Sequence, residues 1–115
     1  MELEKLEIWQ RACRLSCELY QETNQLRDFG FRDQLTRSGL SVPSNIAEGM
    51  ARQSAKEKVR FLDIARASLA EARTQIYIGK QVGFLNPKRA ESWIDECRQL
   101  ASMISALMIA VERNC

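Results

Sequence analysis

The stretch Ser41-Val42-Pro43-Ser44-Asn45-Ile46-Ala47-Glu48-Gly49 combines apolar residues at helical spacing, Val42 and Ile46, with an interior proline, an amide and a terminal glycine. A proline inside a helix removes one backbone hydrogen bond and presses on the carbonyl four residues earlier, costing about 3 kcal/mol unless neighbours compensate. That carbonyl belongs to Gly39, so the stretch predicts a second helix kinked at Pro43. Gly49 is expected to end it, because glycine tolerates the left-handed conformation that closes helices. Asn45 is expected to satisfy carbonyls freed by Pro43. Glu48 is placed to pair with Arg52 at i, i+4, or with Arg37 of a neighbouring copy.

Outward from this stretch, the second helix is predicted from about Phe31 to Gly49, through Leu35 and Gly39. Its inward face is rich in small residues (Ser38, Gly39, Ser41, Ser44, Ala47), which lets another helix or another subunit approach closely. Upstream, Leu26-Arg27-Asp28-Phe29-Gly30 reads as a link ending in a turn glycine. Before it, Ile8, Ala12, Leu15 and Leu19 form the stripe of a first helix from Leu6 to about Gln25, flanked by Trp9, Cys13 and Tyr20. Glu2, Glu4 and Glu7 lie where a helix N-terminus favours negative charge.

Downstream, Ser54 with Glu57 three residues on makes a capping box. The third helix follows from Ala55 to about Lys80, its stripe running Val59, Leu62, Ala65, Leu69, Ala72, Ile76. Gly83 closes it, and Asn86-Pro87 opens the fourth as N-cap and first-turn proline. That helix carries the seam Trp93, Cys97, Leu100, Ile104, Leu107, Val111, and from Met103 to Val111 only Ser105 is polar. A helix apolar on every side is enclosed or covered by another copy. Four long helices with short links predict an all-α, up-down-up-down four-helix bundle, one domain over residues 1–115, assembled as a homo-oligomer.

The composition agrees with a helical protein: 45% hydrophobic, 28% charged, five glycines and two prolines. No run of about 18 uncharged apolar residues exists to span a membrane, and the charged Met1-Glu2-Leu3-Glu4-Lys5 is unlike a secretory signal. A cytoplasmic protein is expected. Cys13 and Cys17 share a helix face, which would give a metal two ligands but no third or fourth, and the chain has no histidine. A reduced, packed pair of small apolar side chains is expected instead. The C-terminal end is expected to fray, and Cys115 there is expected to oxidise in vitro without functional meaning. No metal or other cofactor is implied.

Net charge is +2, but residues 50–83 carry seven bases against three acids. Within them Arg52, Lys56 and Arg60 follow one face at i, i+4, and Arg66, Arg73 and Lys80 repeat every seven residues, drawing two basic lines along the third helix.

Taken in order, Leu6-Glu7-Ile8-Trp9-Gln10-Arg11-Ala12, Gln34-Leu35-Thr36-Arg37-Ser38, the Pro43-Ser44-Asn45-Ile46-Ala47-Glu48-Gly49 element, Arg52-Gln53-Ser54 with Glu57, Phe61 to Glu71 and Thr74-Gln75 resemble the bacterial four-helix-bundle family encoded in intervening sequences of 23S ribosomal RNA genes. The similarity covers about residues 3–111. Two departures are visible: Leu26 to Phe29 stands where relatives often carry a proline and a glutamate, and Ala67 stands where many have glycine. The resemblance implies a homo-oligomeric ring, with pentamers known in the family. It also implies a fold shared with accessory proteins of diversity-generating retroelements, which are basic and thought to bring nucleic acid to a reverse transcriptase. It implies no catalytic residue.

Three classes of function are open. One is a non-enzymatic oligomeric adaptor whose Arg52, Lys56, Arg60, Arg66, Arg73 and Lys80 hold the RNA or DNA backbone weakly, since bases copied around a ring add up and release phosphate counterions. Against it, charges on a helix back are usually a solvated face. The second is a structural or protein-recruiting module. The third is an enzyme, disfavoured because the chain lacks histidine, a glycine-rich phosphate loop and a nucleophile elbow, leaving Glu48 with Asn45 as the one polar constellation to test. No small-molecule substrate is expected. Trp9 and Trp93 are expected in the core rather than as stacking platforms for bases.

Overall fold

The computed structural model describes residues 2–114. After a single 3-10 turn at Leu3–Lys5 come four helices, α1 (Glu7–Thr23), α2 (Phe29–Ala51), α3 (Ala55–Gln81) and α4 (Pro87–Arg113). The described residues contain no strand. A helix of 27 residues is about 40 Å long, and α3 and α4 accordingly set the long axis of a molecule of 46 × 22 × 19 Å.

Side-chain bonds show how the helices run. Arg11, Glu18 and Glu22 of α1 meet Glu96, Trp93 and Arg89 of α4 in descending order. Ser38 and Ser41 of α2 meet Gln75 and Ser68 of α3, and Arg66 and Lys80 of α3 meet Ser105 and Glu91 of α4. Each pair is therefore antiparallel. The space between them is filled by Leu19, Leu35, Ile46, Leu62, Leu69, Ile76, Leu100 and Ile104, each under 2% exposed. Every such side chain contributes about 1.5–3 kcal/mol by leaving water.

Most helix ends follow from local chemistry. Ser54 accepts from the Glu57 N–H at 3.1 Å, and Asn86 accepts from the N–H groups of Lys88 and Arg89 at 3.0 and 3.1 Å. Gly83, at φ 84°, is the one described residue with positive φ. Around it the Phe84 N–H donates to Gly79 O and the Gly83 N–H to Lys80 O, the paired bonds of a Schellman motif.

Four expectations need correction. Gly30 is not a turn residue, because Asp28 caps α2 by accepting from the Phe31 N–H at 3.0 Å and the helix has already begun at Phe29. Gly49 does not end α2, which runs on to Ala51; it is buried, and a Cβ there would lie 3.2 Å from Lys58 O and 3.3 Å from Phe61 Cβ, so its role is close approach of α3. Asn45 does not reach the carbonyl freed by Pro43; its Nδ2 donates to Ser41 O at 2.8 Å and Ser41 Oγ at 2.9 Å. Cys17 is exposed and Cys13 only half-buried, so the two thiols are not packed as a pair.

Helix α2 continues in α-helical form through Pro43. In the last turns of α4, Ile104 and Met108 are buried and Met103, Leu107 and Val111 half-buried, leaving Ile109, 52% exposed, with Ala106 and Ala110. One chain thus conceals more of this apolar run than its composition suggested. Trp93 is buried and Trp9 packs against the core, as expected. No helix among the described residues is long and apolar enough to cross a membrane. Cys115 lies outside the described residues.

Candidate nucleic-acid interface on the third helix

Helix α3 lies between α2 and α4 and shows solvent two stripes of different chemistry. Toward α2 the exposed residues are Ile64, Ala67, Glu71, Thr74 and Ile78, stepping three and four along one face. Toward α4 stand Arg66, Arg73 and Lys80, all half-buried. Of this second basic line, Arg66 donates to Asp63 Oδ1 at 2.7 Å and to Ser105 Oγ at 3.0 Å, and Lys80 donates to Glu91 at 2.9 Å. Arg73 has no carboxylate within ion-pair distance among the described residues.

The first basic line does not follow one helix face as expected, because Arg52 caps the end of α2 in extended backbone and only Lys56 and Arg60 stand on α3; all three are exposed. Arg52 pairs with Glu48 at 3.0 Å, as the i, i+4 spacing predicted, and Arg60 with Glu57 at 3.6 Å. Both guanidinium groups lie over the Phe61 ring, 4.6 and 5.3 Å from its centroid. Exposed pairs of this kind are worth about 0–1 kcal/mol, so a phosphate can displace the carboxylates. Lys56 has no ion-pair partner among the described residues.

The Pro43, Asn45, Glu48, Gly49 element works by packing. Asn45 holds Ser41, whose Oγ lies 2.8 Å from Ser68 Oγ, so a chain of small polar groups ties α2 to α3. Beside it opens a groove of about 520 Å³ lined by Gln34, Arg37, Ser41, Glu71 and Gln75 among others.

A second polar cluster, between α1 and α4, has no counterpart in the sequence-based reading. Arg11 donates to both Glu96 oxygens at 2.9 and 2.6 Å and to Gln99 at 2.7 Å. The Glu96 hydrogen bond raises the Arg11 guanidinium above its ordinary pKa, against the lowering effect of burial. Trp93 Nε1 donates to Glu18 at 2.9 Å. The partners stand 75 to 88 residues apart, beyond any local pattern. No group of three metal-ligating side chains occurs among the described residues.

The model of the 23S rRNA-intervening sequence protein family matches residues 4–106. The chain belongs to that family. A crystal structure of a protein of unknown function from the S23 ribosomal protein family of Bacteroides thetaiotaomicron superposes with a TM-score of 0.82 at 18% identity, covering 88% of this chain and 97% of that one. At that identity the likeness fixes the fold. No curated protein matches the chain.

In this 23S rRNA-intervening sequence family member, Asn45→Asp should destabilise more than Asn45→Ala. Alanine gives up about 1 kcal/mol of hydrogen bonding but recovers part of it in helix propensity. Aspartate keeps the size, removes the donor and sets a carboxylate against the Ser41 carbonyl, a loss of about 1–3 kcal/mol. Melting curves of the two variants test the order. Equal melts for both and wild type would remove Asn45 from the list of structural residues.

Proposed function

We propose that the protein is a non-enzymatic, self-associating adaptor that forms a ring and holds the nucleic-acid backbone, RNA before DNA, through basic residues of α3. The observation that carries this reading is the division of α3 into two stripes. Ile64, Ala67 and Ile78 offer a second copy an apolar contact beside a seam of small serines, while Arg66, Arg73 and Lys80 lie on the α4 side of the helix, away from that contact, and Lys56 and Arg60 continue the apolar face toward the helix start and flank the contact. Copies in a ring repeat a weak site, and repeated weak sites raise affinity without new contacts. The pentamers implied by the family resemblance set the expected ring size. A bend of α2 at Pro43 would tilt the stripe that meets the neighbouring copy.

Light scattering on the purified chain is the first test, with Ile64→Glu/Ile78→Glu as the variant. The wild type is expected to be oligomeric and the variant monomeric with unchanged helical circular dichroism. A monomeric wild type overturns the ring. Fluorescence anisotropy with a structured RNA at low salt tests the rest: binding should weaken steeply with added salt. An RNA that remains unbound at tens of micromolar protein overturns the nucleic-acid role.

A second reading, a protein-recruiting module, is favoured by the pairing of Arg52, Arg60, Arg66 and Lys80 with carboxylates of their own chain. A single stoichiometric partner that survives nuclease treatment would support it over the first.

A further inference from the structure

Between α3 and α4 lies a cleft of about 190 Å³ lined by Arg66, Leu69, Ala70, Arg73, Cys97 and Ala101. Two guanidinium groups border it, and no carboxylate is among the lining residues. Arg66 is held in position by Asp63 and Ser105. Arg73, seven residues further along the same face, has neither a hydrogen-bond acceptor nor a carboxylate partner among the described residues. No unpartnered polar side-chain atom there is fully buried, so its N–H groups remain open to water and to solutes. Glu96, which also acts on the Cys97 thiol, is turned away to Arg11 at 2.6 Å.

The chemistry of this place is specific. A guanidinium presents its donors in a rigid fork that fits two oxygens of a tetrahedral anion. The apolar floor of Leu69, Ala70, Cys97 and Ala101 lowers the local dielectric and strengthens each charged contact relative to open solvent. The cleft is several times the roughly 30 Å³ that a water molecule occupies. Asp63 neutralises part of Arg66, which leaves Arg73 as the main contact.

We propose that this cleft is an oxyanion site that takes one phosphate group, free or within a phosphodiester, on Arg73 with Arg66 as the second contact. The phosphodiester form rests on the nucleic-acid reading above; the free-anion form stands without it.

The test follows arginine Nε–Hε resonances of the ¹⁵N-labelled full chain. Sodium phosphate is added to about 10 mM against sodium chloride of equal ionic strength, and a short single-stranded RNA is titrated separately. Phosphate should shift Arg73 and Arg66 saturably and leave Arg113, exposed at the end of α4, unmoved. Arg73→Gln should weaken phosphate binding about tenfold or more. Arg73→Lys, which keeps the charge but not the fork, should fall between, and it serves if the glutamine variant fails to fold. RNA that moves the same two resonances and is displaced by phosphate identifies the phosphodiester source. Movement with phosphate alone identifies the free anion, and RNA bound elsewhere then leaves the nucleic-acid reading intact. Equal shifts with chloride, a common drift of all arginines, or an Arg73→Gln variant with wild-type affinity overturn the site.

Discussion

Gly79→Val is expected to cost about 2 kcal/mol of folding stability through overpacking, a large share of the 5–15 kcal/mol typical of a native domain. A Cβ at Gly79 would lie 2.6 Å from Phe31 Cζ, 2.7 Å from Leu85 Cδ1 and 2.9 Å from Leu85 Cγ. None of these atoms has an easy retreat. Phe31 packs edge-on against Phe84, with ring centroids 5.3 Å apart, and Leu85 is 4% exposed. Nor can the backbone shift freely, because Gly79 O accepts from the N–H groups of both Phe84 and Leu85, at 2.9 and 3.1 Å. Valine recovers only a few tenths of a kcal/mol over glycine in helix propensity, whereas alanine recovers about 1. Gly79→Ala should therefore fall between wild type and the valine variant. Urea denaturation checks the order, the valine midpoint dropping by roughly 1 M at a slope near 2 kcal/mol/M. A valine variant with the wild-type midpoint would show that the three side chains repack without cost.

Cys97 should react with iodoacetamide about 1,000-fold more slowly than an ordinary thiol at pH 8, as long as the chain stays folded. It is 1% exposed, and burial pushes its thiol up to about 12, with Arg73 pulling the other way and Glu96 adding to the rise. A rise of three units from the ordinary 9.0 removes that factor of thiolate. The same shift gives a sign for stability. Above about pH 9 the unfolded thiol ionises while the native one stays protonated, so the unfolded state binds fewer protons and stability falls as pH rises toward 12. The Cys97 share is at most about 1.4 kcal/mol per pH unit, and it is read as the flattening of the alkaline limb in Cys97→Ala. Labelling of Cys97 as fast as exposed Cys17 in the folded protein would contradict the burial of this side chain. In Cys13 the thiol is raised as well, by partial burial first and by the nearby Cys17 second, so the labelling order should be Cys17, Cys13, Cys97.

The helices were legible because their signals are local. Apolar stripes at three- and four-residue spacing, Ser54 with Glu57, Asn86 with Pro87, and Gly83 with its left-handed backbone each depend on residues within one or two turns. Gly49 was misread for the same reason: from neighbours alone, a glycine that ends a helix looks like one that admits another helix. Only the tertiary approach of Lys58 and Phe61 distinguishes Gly49, whereas the Asp28 cap that places Gly30 inside α2 lies two residues away and was itself a local signal. The basic stripes were legible as stripes, but their partners were not. Ser105, which fixes Arg66, is 39 residues away, and Glu91, which fixes Lys80, is 11 away on the next helix. The same distance hid the cleft at Arg73, whose walls come from both α3 and α4.

The junction of α1 with α4 differs in kind from the other three. It borders a groove of about 710 Å³ walled by Arg11, Arg14, Glu18 and Glu96, and it carries the two-pronged Arg11–Glu96 pair together with the Arg89 contacts to Glu18 and Glu22. Attraction between charges fades as electrolyte is added, whereas burial of leucine does not. The edge of α1 that faces α4 should accordingly loosen with the salinity of its surroundings, while Ile8, Ala12, Leu15 and Leu19 keep the helix seated in the core.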